Sequence, residues 1–286
     1  MSAENAAQAE KFSRRYFETA VAIRRKAIKI YRFMKELLAT VKENKRIAEG
    51  IWAITLTLPE SVGEIKGGQF ANLSVGDSAY PLKRPLGICS AEGNDVTLCY
   101  QLKGEGTHLI SQKEAGEKLS VLLPLGNGFD LGNAKNVAVI GGGVGIFPLA
   151  AVVRQHAGAV NFRSYIGFRG KQYACLEDVF SNGGSLTVAT DDGSMGMKGN
   201  AVGAFLSDYK EGAADLIISC GPPVMLRALK EALKERGIKT KCLVSLEERM
   251  GCGIGACLVC VCKKSDGHNA RVCKDGPVFD INEVEL

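Results

Sequence analysis

Between residues 5 and 42 the chain has neither glycine nor proline, and apolar residues recur at Phe17, Ala20, Val21, Ala27, Ile28, Tyr31, Met34, Leu38 and Val41. That spacing is close to the helical repeat and predicts one long amphipathic helix with a basic opposite face. From Ile47 the texture changes to short β-rich runs over 51–58, 69–75, 86–90, 96–102 and 118–123. Turn residues divide them at Gly67-Gly68, Gly76-Asp77 and Gly93-Asn94-Asp95, which predicts a small antiparallel barrel. Beyond Asn133, a continuous apolar run over 137–140 and further buried-strand candidates over 162–166, 185–190 and 215–220 have helical stretches between or after them, notably 147–155 and 223–236. Strands alternating with helices predict a parallel sheet in a βαβ domain. Residues 245–286 are rich in cysteine and glycine and too few for a core of their own, so a bound metal centre would have to supply the missing stability. The expected organisation is α/β plus β: an N-terminal helix over 1–42, a barrel domain over 43–132, a nucleotide-binding α/β domain over 133–244 and a metal module over 245–286.

Composition narrows the class. A chain of 286 residues with 46% hydrophobic and 23% charged positions is long enough for two ordinary domains and an appendage, and reads as a soluble globular protein. No apolar run reaches the ~18–20 residues of a spanning helix, and the N-terminus does not read as a secretory leader. The ten cysteines therefore read as reduced, cytoplasmic thiols or metal ligands. Residues 1–46 hold twelve Lys/Arg and five Glu, leaving 24 basic and 26 acidic residues for the rest, although the whole chain carries +5. A nearly neutral body gives no reason to expect nucleic acid as a partner. The basic helix is expected to pack on its own domain or a partner subunit; a membrane-surface anchor is the sharper alternative, and five acids speak against a transit peptide.

Cys252, Cys257 and Cys260 follow the spacing C-x₄-C-x₂-C, and twelve residues separate Cys260 from Cys273. Four thiolates so spaced match the plant-type [2Fe–2S] pattern. Gly251, Gly253 and Gly255 permit the tight, positive-φ loop that turns sulfurs and backbone N–H groups toward one point. A structural zinc site is the alternative, but only Cys257 and Cys260 could form a C-x₂-C knuckle. Cys262 is left over, and Cys89, Cys99, Cys175, Cys220 and Cys242 read as buried small hydrophobes.

Gly141, Gly142, Gly143, Val144 and Gly145 stand where a strand meets a helix, the place where glycines let backbone approach a pyrophosphate. The register departs from G-x-G-x-x-G, so a structural tight turn stays open. Cys220, Gly221 and Pro222 close a later strand at the carboxyl edge of the sheet, where ligands lie in such folds. In the barrel, Arg84-Pro85-Leu86-Gly87 offers a forked donor and Gly104-Glu105-Gly106-Thr107 a turn with a hydroxyl; singly, each also fits an ordinary strand end or turn.

Taken in this order the motifs resemble the ferredoxin–NADP reductase superfamily, and within it the electron-transfer subunits of NAD-dependent dihydroorotate dehydrogenases. The likeness covers roughly residues 42–286 and is most specific over 247–257 and 271–279, with further marks at Asn44-Lys45-Arg46-Ile47-Ala48 and Thr190-Asp191-Asp192-Gly193-Ser194. It implies that Arg84, Pro85, Leu86, Gly87, Cys99, Tyr100, Gln101, Gly106 and Thr107 bind FAD. It implies that Gly141, Gly142, Gly143, Val144, Gly145, Cys220, Gly221 and Pro222 line a nicotinamide site, and that Cys252, Cys257, Cys260 and Cys273 ligate the cluster. Two features depart from it: the family usually has serine where Gly87 stands, and usually starts near Lys42. The resemblance further implies a cytoplasmic heterotetramer, two plus two, with an FMN-bearing catalytic subunit that oxidises dihydroorotate to orotate in pyrimidine biosynthesis. Electrons would cross from that subunit to the cluster, to FAD and to NAD. A flavin can exchange electrons in pairs and singly, which is why all three centres belong in one chain. No acid–base constellation for oxidising a carbon substrate is evident. Alternatives are a flavoprotein subunit of a ferredoxin:NADP oxidoreductase, sulfide dehydrogenase or hydrogenase complex, or a zinc-stabilised interaction module. Arg169 and Lys171 follow a strand where cations could hold a 2′-phosphate; the resemblance favours NAD.

Overall fold

A computed structural model describes residues 34–286. Its first element is a strand, β1 (Lys35–Ala48), where the helical pattern was expected to continue to residue 42. Alternation decides it: Ala39 and Val41 are buried, whereas Leu38 is 56% exposed and Thr40 only half-buried. A stretch without glycine or proline suits a strand as well as a helix when every second side chain finds a core. The remainder of the expected helix lies outside the described residues.

β1 pairs with β2 (Ile51–Thr57), and the barrel continues through β5 (Asp95–Gln101), β4 (Arg84–Glu92), β3 (Phe70–Leu73) and β6 (Lys118–Leu125) in a closed order. The bonds Val41 N–H to Glu117 O and Gly116 N–H to Val41 O, both 2.8 Å, seal the seam between β1 and the segment entering β6. Ile54, Leu56, Leu73, Ile88, Leu98, Val121 and Leu123 fill the interior. A short helix, α1 (Glu105–Ser111), follows β5. Asn44 fixes it: its Nδ2 donates to Ile110 O at 2.8 Å and Lys113 O at 3.0 Å, and its Oδ1 accepts from the Tyr100 hydroxyl at 3.0 Å.

The second layer is a sheet of order β10-β9-β8-β7-β11-β12-β15. Its strands are β7 (Asn136–Gly142), β8 (Asn161–Phe168), β9 (Gly184–Thr190), β10 (Met197–Lys198), β11 (Leu216–Cys220), β12 (Cys242–Ser245) and β15 (Val278–Asp280). All pairings are parallel except that of β15 with β12. Helices α2 (Ile146–His156), α3 (Glu177–Asn182), α4 (Ala201–Asp208) and α5 (Pro223–Glu235) connect the strands. Between them, the tail makes a hairpin of β13 (Val261–Lys263) and β14 (Asn269–Arg271), then a single turn, α6 (Val272–Asp275), before it joins the sheet as β15. That last strand anchors a metal module too small to hold itself.

α2 locks the layers together. Ile51, Ala53, Cys89 and Cys99 on the outside of the barrel share a core with Ile146, Phe147, Leu149 and Val152 of α2. Gln155 accepts from Gly67 N–H and donates to Ile65 O, each at 2.7 Å. The glycine turn preceding α2 is thereby held at a fixed distance from the barrel strands.

Candidate functional site: two clefts and a cysteine loop

A first cleft opens between the ends of β4 and β5 and the start of α2. Arg84, Pro85, Leu86, Gly87, Cys99, Tyr100, Gln101 and Thr107 all line it, with Phe147 and Pro148 from α2 opposite. Gly106 contributes by being small: a Cβ there would collide with the Arg84 guanidinium, so glycine lets that charge lie over the first turn of α1. Arg84 also donates to Leu82 O and sits 5.9 Å over the Tyr80 ring. Thr107 Oγ1 accepts from the N–H groups of Lys103 at 3.0 Å and Gly104 at 3.2 Å, and donates to Gly104 O at 2.8 Å, closing the turn. Phosphate suits such a surface, since a fixed guanidinium supplies both charge and paired donors. At Gly87, a Cβ would meet Pro148 at 3.4–3.7 Å, ordinary contact. Sterics therefore do not impose the missing hydroxyl.

A second cleft lies at the carboxyl ends of the parallel strands. Gly142, Gly143, Val144, Gly221 and Pro222 form its floor, with Gly167, Phe168, Arg169, Tyr173 and Asp191 on the far side. Gly143 takes φ +53°, in the left-handed region. A Cβ on Gly142 would stand 2.6 Å from Met225 Sδ, and one on Gly221 2.5 Å from Met225 Cε. Gly141 and Gly145 do not line the cleft. They allow close packing behind it: a Cβ on Gly145 would lie 2.5 Å from Cys220 C and Gly221 N, and one on Gly141 2.9 Å from Ile146 Cγ2. Cys220, expected on the nucleotide side, lines the first cleft.

The clefts share Gln101, Lys103, Val144 and Glu247, so a planar ring in one can face a ring in the other. Glu247 is open to solvent at this junction, yet flanked by enough protein that burial raises its carboxyl, with Lys103 opposing. Lys103, Phe147 and Met225 carry no motif of their own, and Glu247 heads the stretch 247–257 without a role read from it. Only the convergence of four chain segments brings them to the two clefts.

The cysteine loop abuts the first cleft, because Met250 just before it and Pro277 just after it are cleft residues. Gly253 and Gly255 have φ +73° and +82°. Gly251, expected to share that geometry, does not; it is needed for proximity, since a Cβ there would stand 3.3 Å from Cys257 Sγ. The N–H groups of Ile254, Ala256 and Cys257 point at Cys252 Sγ from 3.3–3.4 Å, and that of Cys273 points at Cys260 Sγ from 3.4 Å. Burial pushes the Cys252 thiol up, but the N–H groups of Ile254 and Cys257, the Cys257 thiol and the Ala256 N–H outweigh it and bring it down to about 6. Cys273 is driven up to about 12 by burial and by its neighbour Cys260. The thiols thus fall into pairs, Cys252 with Cys257 and Cys260 with Cys273, and Cys252 lies near enough to raise Cys273 electrostatically. Among the described residues, no three His, Cys, Asp or Glu side chains surround a single ion position. Cys262 sits in the hairpin, paired across to Ala270. Tetrahedral zinc calls for ligands around one centre, whereas paired thiols with N–H groups aimed at sulfur suit two irons bridged by sulfide.

Known proteins bear on this arrangement. Residues 247–285 match the family model described as the iron–sulfur cluster binding domain of dihydroorotate dehydrogenase B. The chain is 37% identical over 262 residues to the electron transfer subunit of dihydroorotate dehydrogenase B (NAD(+)) of Bacillus pumilus, covering 88% of this chain and 99% of the relative. A subunit of the same description from a Geobacillus species is 40% identical over 266 residues, covering 88% and 100%. Among solved structures, an NADH-dependent reduced ferredoxin–NADP oxidoreductase aligns with TM-score 0.76 and 30% identity over 87% of this chain and 90% of that one. A cytochrome P450 reductase of Amycolatopsis, 23% identical with TM-score 0.62 over 72% and 67%, shares the fold.

Proposed function

Since the chain belongs to the family of dihydroorotate dehydrogenase B (NAD(+)) electron transfer subunits, we propose that it carries electrons between a partner dehydrogenase and NAD through one [2Fe–2S] cluster and one FAD. The observation that carries the reading is the contiguity of the three sites: Met250 and Pro277 join the cysteine loop to the flavin cleft, and Gln101, Lys103, Val144 and Glu247 join that cleft to the nucleotide cleft. FAD, when bound, supplies exchange in pairs with a nicotinamide and singly with iron–sulfur.

The chain's own residues position and tune. Arg84 and the turn before Thr107 are suited to the flavin pyrophosphate; Pro85, Leu86 and Gly87 face Phe147 and Pro148 across a slot for the ring. Gly142, Gly143, Gly221 and Pro222 leave backbone exposed to the nicotinamide nucleotide. Glu247 stands where the rings would meet, its carboxyl raised by burial and opposed by Lys103. Cys252, Cys257, Cys260 and Cys273 would hold the irons, and the N–H groups aimed at Cys252 and Cys260 favour charged sulfurs there.

On this reading the purified chain contains about one FAD, two irons and two labile sulfides. Metal analysis and a visible spectrum test it: stoichiometric zinc without labile sulfide removes the electron path. We further assign the partner as an FMN-bearing subunit that oxidises dihydroorotate, in a two-plus-two cytoplasmic assembly. Among the described residues, no helix is long and apolar enough to cross a membrane. Co-purification of the native partner, then assay with dihydroorotate and with NAD and NADP separately, tests this against the ferredoxin-linked reading that the NADH-dependent oxidoreductase structure raises.

The cluster loop presents its own docking face. Leu258 and Val259, between two of the cysteines, are 61% and 54% exposed, and Leu258 is held at φ +59°. Two apolar side chains outside a metal loop suit burial against a partner that must come close for electron transfer. Leu258→Asp is expected to weaken binding of the catalytic subunit about 30-fold or more, in line with ~2 kcal/mol for one buried leucine. NADH-driven dye reduction by the isolated chain stays unchanged. Analytical ultracentrifugation of the mixed subunits reads the first effect, and equal affinity for both forms would place the docking face elsewhere.

A further inference from the structure

The stretch 271–279 sets an arginine among the cysteines, and the electron path assigned above gives it no part. Arg271 ends β14 and immediately precedes α6, the turn that holds Cys273. Across the hairpin it stands opposite Val261, the residue after Cys260, and the N–H of Val272 donates to Cys260 O at 2.8 Å. Its own N–H and its Nε each donate to Asp275 Oδ2 at 2.9 Å, and its Nη2 donates to Asp275 Oδ1 at 3.1 Å. The other arm of the guanidinium reaches the opposite side of the ligand set, where Nη1 donates to Gly255 O at 3.3 Å. Gly255 lies between Cys252 and Cys257. It takes φ +82°, and a Cβ there would stand 2.6 Å from Lys274 Cδ, so glycine lets the loop rest directly on α6 with its carbonyl at the guanidinium.

One side chain therefore bridges the loop that carries Cys252 and Cys257 to the turn that carries Cys273, while its backbone lies beside the strand that follows Cys260. A planar fork of donors can make this bridge; a point charge on a flexible stem cannot. The bridge also sets a fixed positive charge among the residues that carry the sulfurs. Asp275 first, then Cys273 and Cys260, favour that charge against burial. The side chains of Arg271 and Asp275 are 32% and 38% exposed, so solvent and salt weaken their fields without removing them.

We propose that Arg271 is a positioning residue of the cluster: it ties the two ligand segments together, and its charge eases reduction. The assignment rests on the cluster reading given above. Reduction by one electron adds a negative charge to the centre, which a fixed cation favours and a fixed anion opposes. Arg271 and Asp275 thus bias the reduction equilibrium in opposite directions although they share one ion pair. That opposition separates charge from scaffolding. Removing either partner breaks the same pair, so a purely structural role moves the potential the same way in both cases.

The test is a mediated redox titration of the purified full chain, read by the electron paramagnetic resonance of the reduced cluster, with iron and sulfide analysis of each variant. Arg271→Gln is expected to lower the reduction equilibrium constant about tenfold, ~60 mV toward negative potential for one electron. Asp275→Asn raises it by a similar factor, and both shifts shrink in high salt. Arg271→Lys keeps the charge and loses the fork. Its potential stays within about twofold of the parent in equilibrium constant, while its iron passes to a chelator about tenfold faster. Where Arg271→Gln holds no iron, the Asp275→Asn shift and the Arg271→Lys chelation rate decide. Potentials that move the same way in Arg271→Gln and Asp275→Asn, or an unmoved potential in Asp275→Asn, overturn the role of the charge. Chelation of Arg271→Lys at the parent rate overturns the tie. Stoichiometric zinc without labile sulfide in the parent is a separate failure, which removes the cluster and this assignment with it.

Discussion

Cys273→Ser strips the chain of its cluster, while Cys262→Ser leaves the iron in place. The two cysteines are both buried near the same loop, so proximity does not separate them. Pairing does: the Cys273 thiol meets Cys260, whose sulfur also receives the Cys273 N–H at 3.4 Å. Cys262 belongs to β13, where its neighbour across the hairpin is Ala270 and its thiol is raised chiefly by burial. A hydroxyl in place of the Cys273 thiolate leaves one iron a ligand short, and iron content should drop from about two per chain to a small fraction of that. Visible absorbance of the cluster falls with it, whereas FAD stays bound because Arg84, Gly87 and Thr107 are untouched. Cys262→Ser keeps the full iron content. Equal iron loss in the two variants means that the ligand set is wrongly drawn.

What could be read in the chain beforehand followed from how local the signal was. The cysteines assigned to the cluster stand out by spacing, because a ligating loop of this kind would carry three of the sulfurs, and Cys252, Cys257 and Cys260 span only nine residues. The barrel strands from Ile51 onward were legible because glycine-rich turns punctuate them, and β2, β4, β5 and β6 form where the β-rich runs lie. β1 was not, since Leu37-Leu38-Ala39-Thr40-Val41 follows a long helical pattern without any breaker and its alternation emerges only once Ala39 and Val41 find the barrel interior. The roles of the glycines were legible as a group and not singly. Gly142 and Gly143 face the cleft, whereas Gly141 and Gly145 are required by what packs behind them. The meeting of Glu247 with Lys103 joins different segments, and the bulge at Cys89 depends on a register between two strands. Neither is written in any local pattern.

Gly145 carries the other large effect. In the register of the central strands, Gly141 at the end of β7 stands beside Cys220 at the end of β11, so the two turns that follow them are adjacent walls of one crevice. Gly145 returns from the first turn to press on the second. Its Cα faces the backbone of Cys220 and Gly221, and a methyl group there would lie 2.5 Å from Cys220 C and Gly221 N. Those are backbone atoms held by the β7–β11 pairing, so they cannot swing aside as a side chain would. Gly145→Ala must therefore part the two turns, at a cost of about 1–3 kcal/mol in stability, and the displaced floor no longer matches a pyrophosphate. Flavin reduction by NADH, followed by stopped flow at subsaturating nucleotide, should fall about 100-fold or more, the scale of a misplacement near 1 Å. Gly143→Ala is the control: a Cβ there meets nothing within 4 Å, and its cost is the conformational penalty of about 1–2 kcal/mol for alanine at φ +53°. Iron content of both variants should equal that of the parent, which establishes that the fold survives. If Gly145→Ala reduces flavin as fast as the parent at low NADH, the crevice between β7 and β11 is not where the nicotinamide nucleotide lies.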